Sequence, residues 1–227
     1  MGVRRAQRVW RRLVRHYLPL LTLASLATLA LTRWANSPSF AYRLSLATAF
    51  AGLGLFGASL AIGPLGVLWR GRLLPVSTDL RRDLGILAGV FSLGHAVIGL
   101  LVYTDIRLYF LYPLADWQRT QFPLRLDTFG AANWMGLGAS VVLGLLLATS
   151  GDWALRRYGA RRWKRLQQLA YWAFALVIVH AVLYQRLDMH DEGPLVMALA
   201  AIAGSVIALQ AAGFIKVDRH LARRDAA

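Results

Sequence analysis

Six apolar stretches dominate this sequence, each long enough to cross the roughly 30 Å hydrocarbon core of a bilayer as a helix of about 20 residues. They cover residues 17–35, 44–69, 84–103, 130–150, 166–184 and 194–215. Hydrocarbon offers backbone N–H and C=O groups no water, so a spanning segment must satisfy them internally, which a helix does. The sequence therefore predicts an all-α, polytopic membrane protein built as a six-transmembrane-helix bundle. Composition agrees: 57% of residues are apolar and 16% charged, too greasy for a soluble domain. The second stretch contains Gly63-Pro64, which predicts a kink or an early helix end. The first follows an Arg-rich segment as a secretory signal would, but no A-x-A cleavage pattern precedes the next stretch, so it reads as a retained anchor.

The net charge of +15 is distributed between the stretches rather than gathered on a soluble face, which argues against nucleic acid and for contact with membrane lipid. Most Lys and Arg fall in alternate connections: Arg4 to Arg15, Arg70 to Arg82, Arg156 to Arg165, and Lys216 to Arg224. The intervening connections hold only Arg33, Arg43, Arg107, Arg119, Arg125 and Arg186. Cationic loops stay in the cytoplasm, so both termini are expected there. The organisation expected is a basic cytoplasmic segment at 1–16, a six-helix domain at 17–215 and a basic cytoplasmic tail at 216–227.

The outer connection 104–129, with Asp105, Asp116 and Asp127 among aromatics, Pro113 and Pro123, is long enough to cover something or meet a partner. On the inner side, residues 151–165 predict a short amphipathic surface helix capped by Asp152, with Trp153 and Trp163 at headgroup depth.

Ionisable side chains inside spans are costly, which makes each a candidate for function. His95 in the third stretch and His180 in the fifth share the apolar middle with no Asp, Glu, Lys or Arg. Both helices start on the cytoplasmic side, and the helical rise puts the two imidazoles about 20 and 22 Å from it, at matching depth. Two imidazoles at one level suit axial ligation of a haem iron. Phe91, Ser92 and Gly99 share a face with His95; Leu176, Val177, Leu183 and Tyr184 share one with His180. Gly85, Gly89, Gly94 and Gly99 thin the third helix for a porphyrin or a neighbouring helix. Cross-helix hydrogen bonding of each His to a Ser or Thr, or a proton relay, are the competing readings; a relay normally recruits carboxylates. The lack of cysteine excludes disulfides, iron–sulfur clusters, thiolate zinc sites and covalently attached haem. His16 and His220, beside arginines, read as solvated, and His190, between Met189 and Asp191, reads as part of an exposed acidic turn rather than a divalent-metal site. Trp163, Tyr171 and Trp172 read as stacked aromatics, either interface anchors or an electron path.

Arg81-Arg82-Asp83-Leu84-Gly85 followed by His95, and Tyr158-Gly159-Ala160-Arg161-Arg162-Trp163-Lys164-Arg165-Leu166 leading to Tyr171 and His180, resemble the ferric reductase-like transmembrane domain family over residues 44–215. The resemblance implies one b-type haem between the third and fifth helices, with His95 and His180 as its axial ligands, in a multi-pass protein of a bacterial inner membrane. It implies electron transfer from quinol or a flavin reductase to a periplasmic redox protein or a neighbouring membrane subunit, with FMN or a quinone as a further cofactor left open. Family members carry an inner-haem His where this chain has Gln167, and Arg82 stands at the comparable place on the third helix. Neither ligates haem iron well, so the inner haem is expected to be missing or differently held. Arg107, Arg119, Arg125 and Arg186 are candidates to neutralise haem propionates. Two other readings remain at this point: a haem-free structural or assembly subunit, and a proton-coupled transporter, which the missing intramembrane carboxylates disfavour.

Overall fold

The computed structural model describes residues 7, 9–69, 78–102, 105–113, 123–187 and 193–225. Helices are labelled α1 (Leu18–Trp34), α2 (Phe40–Leu68), α3 (Thr78–Leu100), α4 (Thr128–Ala148), α5 (Asp152–Gln167), α6 (Leu169–Leu187) and α7 (Gly193–Asp225). A π-helical turn, Leu13–Tyr17, leads into α1, and a 3-10 turn, Ile106–Tyr109, sits between α3 and α4. The described residues form no strand beyond one isolated bridge between Leu111 and Leu124. Among the described residues, six helical segments are long and apolar enough to cross a membrane: Val9–Trp34, Phe40–Leu68, Asp79–Leu100, Thr128–Ala148, Asp152–Leu187 and Gly193–Arg219. The expected six-helix, all-α architecture is what the chain adopts. Helical structure continues past the expected domain limits, backward from α1 to Val9 and forward along α7 to Asp225.

The packing order places the histidine-bearing helices across an interior. α2 packs most broadly on α3 and also on α1 and α7; α4 packs on α6 and α3, whereas α6 touches α7 only lightly. Phe56, Leu60, Leu84, Leu87, Leu143 and Phe174 form part of the apolar core, with Phe56 and Phe174 in an edge-to-face contact at 5.6 Å. Three of the four glycines of α3 serve helix packing: a Cβ on Gly85 would meet Ser59 Oγ, one on Gly89 would meet Leu147, and one on Gly99 would meet Ser45 Oγ. Only Gly94 faces open space.

At Gly63-Pro64 the structure departs from expectation, because α2 runs unbroken through Pro64 to Leu68. Proline deprives the Leu60 carbonyl of its usual N–H partner four residues on. Gln210 Nε2 of α7 donates to that carbonyl at 3.0 Å instead. Gly213 lets α7 come this close, since a Cβ there would lie 2.9 Å from Pro64 Cβ. At the end of α2, Lys216 Nζ donates to Leu68 O at 2.7 Å. Gln210→Leu is thus expected to lower stability in detergent by about 1 kcal/mol, the scale of a lost intramembrane hydrogen bond. Adding Pro64→Ala, which restores the N–H, should recover most of the loss; thermal melts of the wild type, single and double variants measure this.

The surface helix also differs in detail. Gly151, not Asp152, is the N-cap of α5, because the Asp152 carboxylate is drawn to Arg82, 2.6 Å from its Nη1. Gly159 breaks the helix in the middle with φ 73°, a left-handed backbone that side chains disfavour. Trp163, Tyr171 and Trp172 do not stack on one another. Trp163 Nε1 donates to Thr149 O at 2.9 Å, while Tyr171 and Trp172 are exposed in the manner of lipid-facing or interfacial anchors.

Candidate functional site

His95 lies on α3 and His180 on α6, and the fold brings their rings together with centroids 6.0 Å apart and planes inclined at 66°. The matching depth expected from helical rise is what the fold gives. Each ring is tied back at Nδ1 to a backbone carbonyl of a different helix: His95 to Ser45 O on α2 at 2.9 Å, His180 to Ala132 O on α4 at 2.7 Å. A carbonyl only accepts, so both imidazoles carry hydrogen on Nδ1 and keep a lone pair on Nε2. Ser45 Oγ is a second neighbour of His95 Nδ1, at 3.0 Å. Neither Nε2 is hydrogen-bonded to a described residue.

Local sequence explains why these carbonyls are reachable. Within a helix the carbonyl of residue i is screened sideways by the side chain of residue i+4, and the residues at those positions are Gly136, above Ala132, and Ala49, above Ser45. At Gly136 there is no room for more: a Cβ would lie 2.7 Å from His180 Nδ1 and 2.8 Å from Cε1.

An aromatic cover closes the end of the bundle nearer the histidine pair. The Tyr184 ring lies 5.0 Å from that of His180, and its hydroxyl donates to Asn133 Oδ1 at 2.8 Å. Phe129 packs against Tyr184 and stacks on Tyr109, while Phe110 packs on Trp134. The Arg125 guanidinium lies 4.5 Å from the centre of the Phe129 ring and holds Asp127, whose other role is to cap α4 by accepting from Gly130 N at 2.7 Å. The described part of the outer connection thus covers the end of the bundle above the histidine pair. Among the arginines suggested for propionates, Arg107 is paired with Asp105 and holds that carboxyl below its usual range; Arg125 is committed to Asp127 and Leu108 O, and Arg186 is exposed. Arg119, Asp116 and His190 lie outside the described residues.

At the opposite end, Arg82 pairs with Asp152, and the Gln167 amide lies 3.5 Å from Thr149 Oγ1. His16, expected to be solvated, instead bonds through Nδ1 to Asp83 Oδ2 at 2.7 Å. Asp83 is fully buried and is also held by Arg12. The sequence placed Asp83 in a motif but gave no sign of this contact, since its partners lie some seventy residues away on another helix.

Chemically, the His pair is a two-donor set. Among the described residues no three His, Asp or Glu gather as a metal site, so a bare ion lacks ligands here, whereas an iron already held by four porphyrin nitrogens needs only two. Metal–imidazole bonds of about 2.0–2.1 Å on both sides of an iron imply ring centroids about 6.3 Å apart, so the 6.0 Å spacing fits axial ligation. The donor set therefore suits haem.

Residues 48–178 match the family model described as the ferric reductase like transmembrane component. The chain is also 30% identical, over 153 residues, to the protein-methionine-sulfoxide reductase heme-binding subunit MsrQ of Rhodospirillum rubrum, a match covering 67% of this chain and 64% of that protein. The six spanning helices and this relative make the chain a multi-pass protein of the bacterial inner membrane. With the family model matched across most of α2 to α6, both histidine-bearing helices included, the chain belongs to the ferric reductase-like transmembrane family.

Proposed function

We propose that this chain is a b-type haem-binding, electron-transferring membrane subunit, with His95 and His180 as the axial ligands of one haem. Two half-buried imidazoles with their Nδ1 groups held by backbone carbonyls and their Nε2 atoms uncommitted carry the reading. When bound, haem supplies one-electron chemistry between its ferric and ferrous states. The chain's own residues do the rest. Ser45 and Ala132 fix the tautomer and orientation of the ligands and raise their basicity. Tyr184, Phe129 and Tyr109 exclude water from the outer side, and Gly136 gives the His180 ring its space.

Electrons enter from quinol or a flavin source and leave to an outer-side acceptor. The relative's name makes a protein-methionine-sulfoxide reductase the acceptor of choice. The Lys and Arg distribution supports cytoplasmic termini, with basic segments at 1–16 and 216–227 flanking the haem domain at 17–215. Arg82 with Asp152, and Gln167 beside Thr149, offer no imidazole for a second, inner haem. A pyridine haemochrome assay on purified protein should return about one b-type haem per chain. A colourless preparation would leave only a structural or assembly subunit, and two haems per chain would overturn the single-site reading.

A further inference from the structure

We infer that His16 and Asp83 form the proton-accepting site for a lipid-soluble quinol at the end of the bundle opposite the aromatic cover. This rests on the haem reading above, because the quinol's electrons need the proposed haem as acceptor. Asp83 is fully buried in the first turns of α3, and its carboxylate is bonded to the Arg12 guanidinium and to His16 Nδ1. An intramembrane carboxylate is expensive to keep, and its partners determine what it can do.

Here the bond to Asp83 orients the imidazole. With Nδ1–H donated to the carboxylate, His16 presents Nε2 as a base, and the negative charge beside it stabilises the imidazolium formed when Nε2 takes a proton. The His16 side chain remains 21% exposed, and nothing among the described residues bonds its Nε2. Exposed apolar Trp10, Leu13, Val14 and Leu18 lie close to it in sequence together with exposed Arg11 and Arg15, an amphipathic surface that suits a lipid-soluble ligand with a polar head. His16 also lies in the π-helical turn Leu13–Tyr17, an irregularity frequent at functional sites because it re-aims side chains.

A quinol hydroxyl is the lipid-borne group that must lose a proton as it loses an electron. Each quinol releases two electrons and two protons as it becomes quinone; with one haem per chain the electrons are taken singly, by two ferric haems or by one haem reoxidised between steps by its acceptor, while one hydroxyl proton passes to His16 Nε2 and on to water and the other follows it to water. Asp83 and His95 are on one helix, about 18 Å apart along its axis, and the half-width of a porphyrin shortens that path.

The test uses the haem-loaded full chain in detergent, with decylubiquinol and dithionite as alternative reductants and haem absorbance as readout. His16→Gln should keep the haem spectrum and the dithionite rate while slowing reduction by decylubiquinol at least tenfold. The other ionisable groups facing the pair, Arg12 and Tyr17 from the N-terminal helix and Asp79 and Arg82 from α3, are unchanged in this variant. Asp83→Asn, which keeps the shape but cannot stabilise imidazolium, should show the same selective loss. Equal quinol rates in His16→Gln and wild type would overturn the proposal, as would loss of haem in that variant, which would mark the pair as a structural clasp. A wild type without haem would instead remove the haem reading itself.

Discussion

Alanine at position 180 is expected to abolish the six-coordinate haem spectrum of the purified protein. His180 sits in the interior with Nδ1 bonded to Ala132 O at 2.7 Å, and Tyr184 and Gly136 pack against its ring. Removing the imidazole deletes one of two donors from a site in which no third His, Asp or Glu among the described residues gathers to substitute. Changes to groups that merely support a ligand cost about 10–100-fold in affinity, so loss of the ligand itself should exceed that and leave well under a tenth of wild-type haem. His95→Ala should behave alike from the other side, because Ser45, the group His95 leans on, is held by α2 and does not move with α6. Imidazole added to either variant should restore part of the absorbance, which separates a lost ligand from a collapsed bundle. A wild-type spectrum in either alanine variant would remove that residue from the ligand set.

Much of this architecture is legible in the chain because the bilayer simplifies the problem. A stretch such as 130–150 has few alternatives to a helix, and the depth of His95 and His180 follows from a fixed rise per residue. What the sequence leaves unread depends on side chains far apart in number. Nothing local shows that Gln210 would answer the carbonyl freed by Pro64, so a proline that ordinarily ends or bends a helix leaves α2 continuous. Asp152 looks like a helix cap until Arg82, seventy positions earlier, takes its carboxylate. His16 looks like one more surface residue in an arginine-rich segment until the π-helical turn Leu13–Tyr17 is laid against α3 and Asp83. The glycines of α3 invite a cofactor reading, yet the one that bears most directly on the candidate site is Gly136 on α4. A small residue four positions after a carbonyl, as in Ala132 to Gly136, is the signal that could have marked the support of His180.

Gly136→Ala therefore makes a sharp test of the site at the cost of a single methyl group. Its Cβ would fall 2.7 Å from His180 Nδ1 and 2.8 Å from Cε1, distances at which ring and methyl cannot coexist without movement. The α4 backbone is fixed by its packing on α6 and α3, so the ring must yield. In moving, it loses its bond to Ala132 O, and the methyl screens that same carbonyl from the approach the bond requires. Both effects act on the orientation and basicity of one ligand, for which a loss of about 10–100-fold in haem affinity is expected, together with a shift in the absorbance of whatever haem remains. Gly138→Ala on the same helix supplies the control, since its Cβ would meet only Leu176 Cδ1, at an ordinary 3.7 Å. It gains the same helix propensity and should bind haem as the wild type does. Equal haem retention by the two variants, measured by titration in detergent, would show that the His180 ring position is not what holds the group.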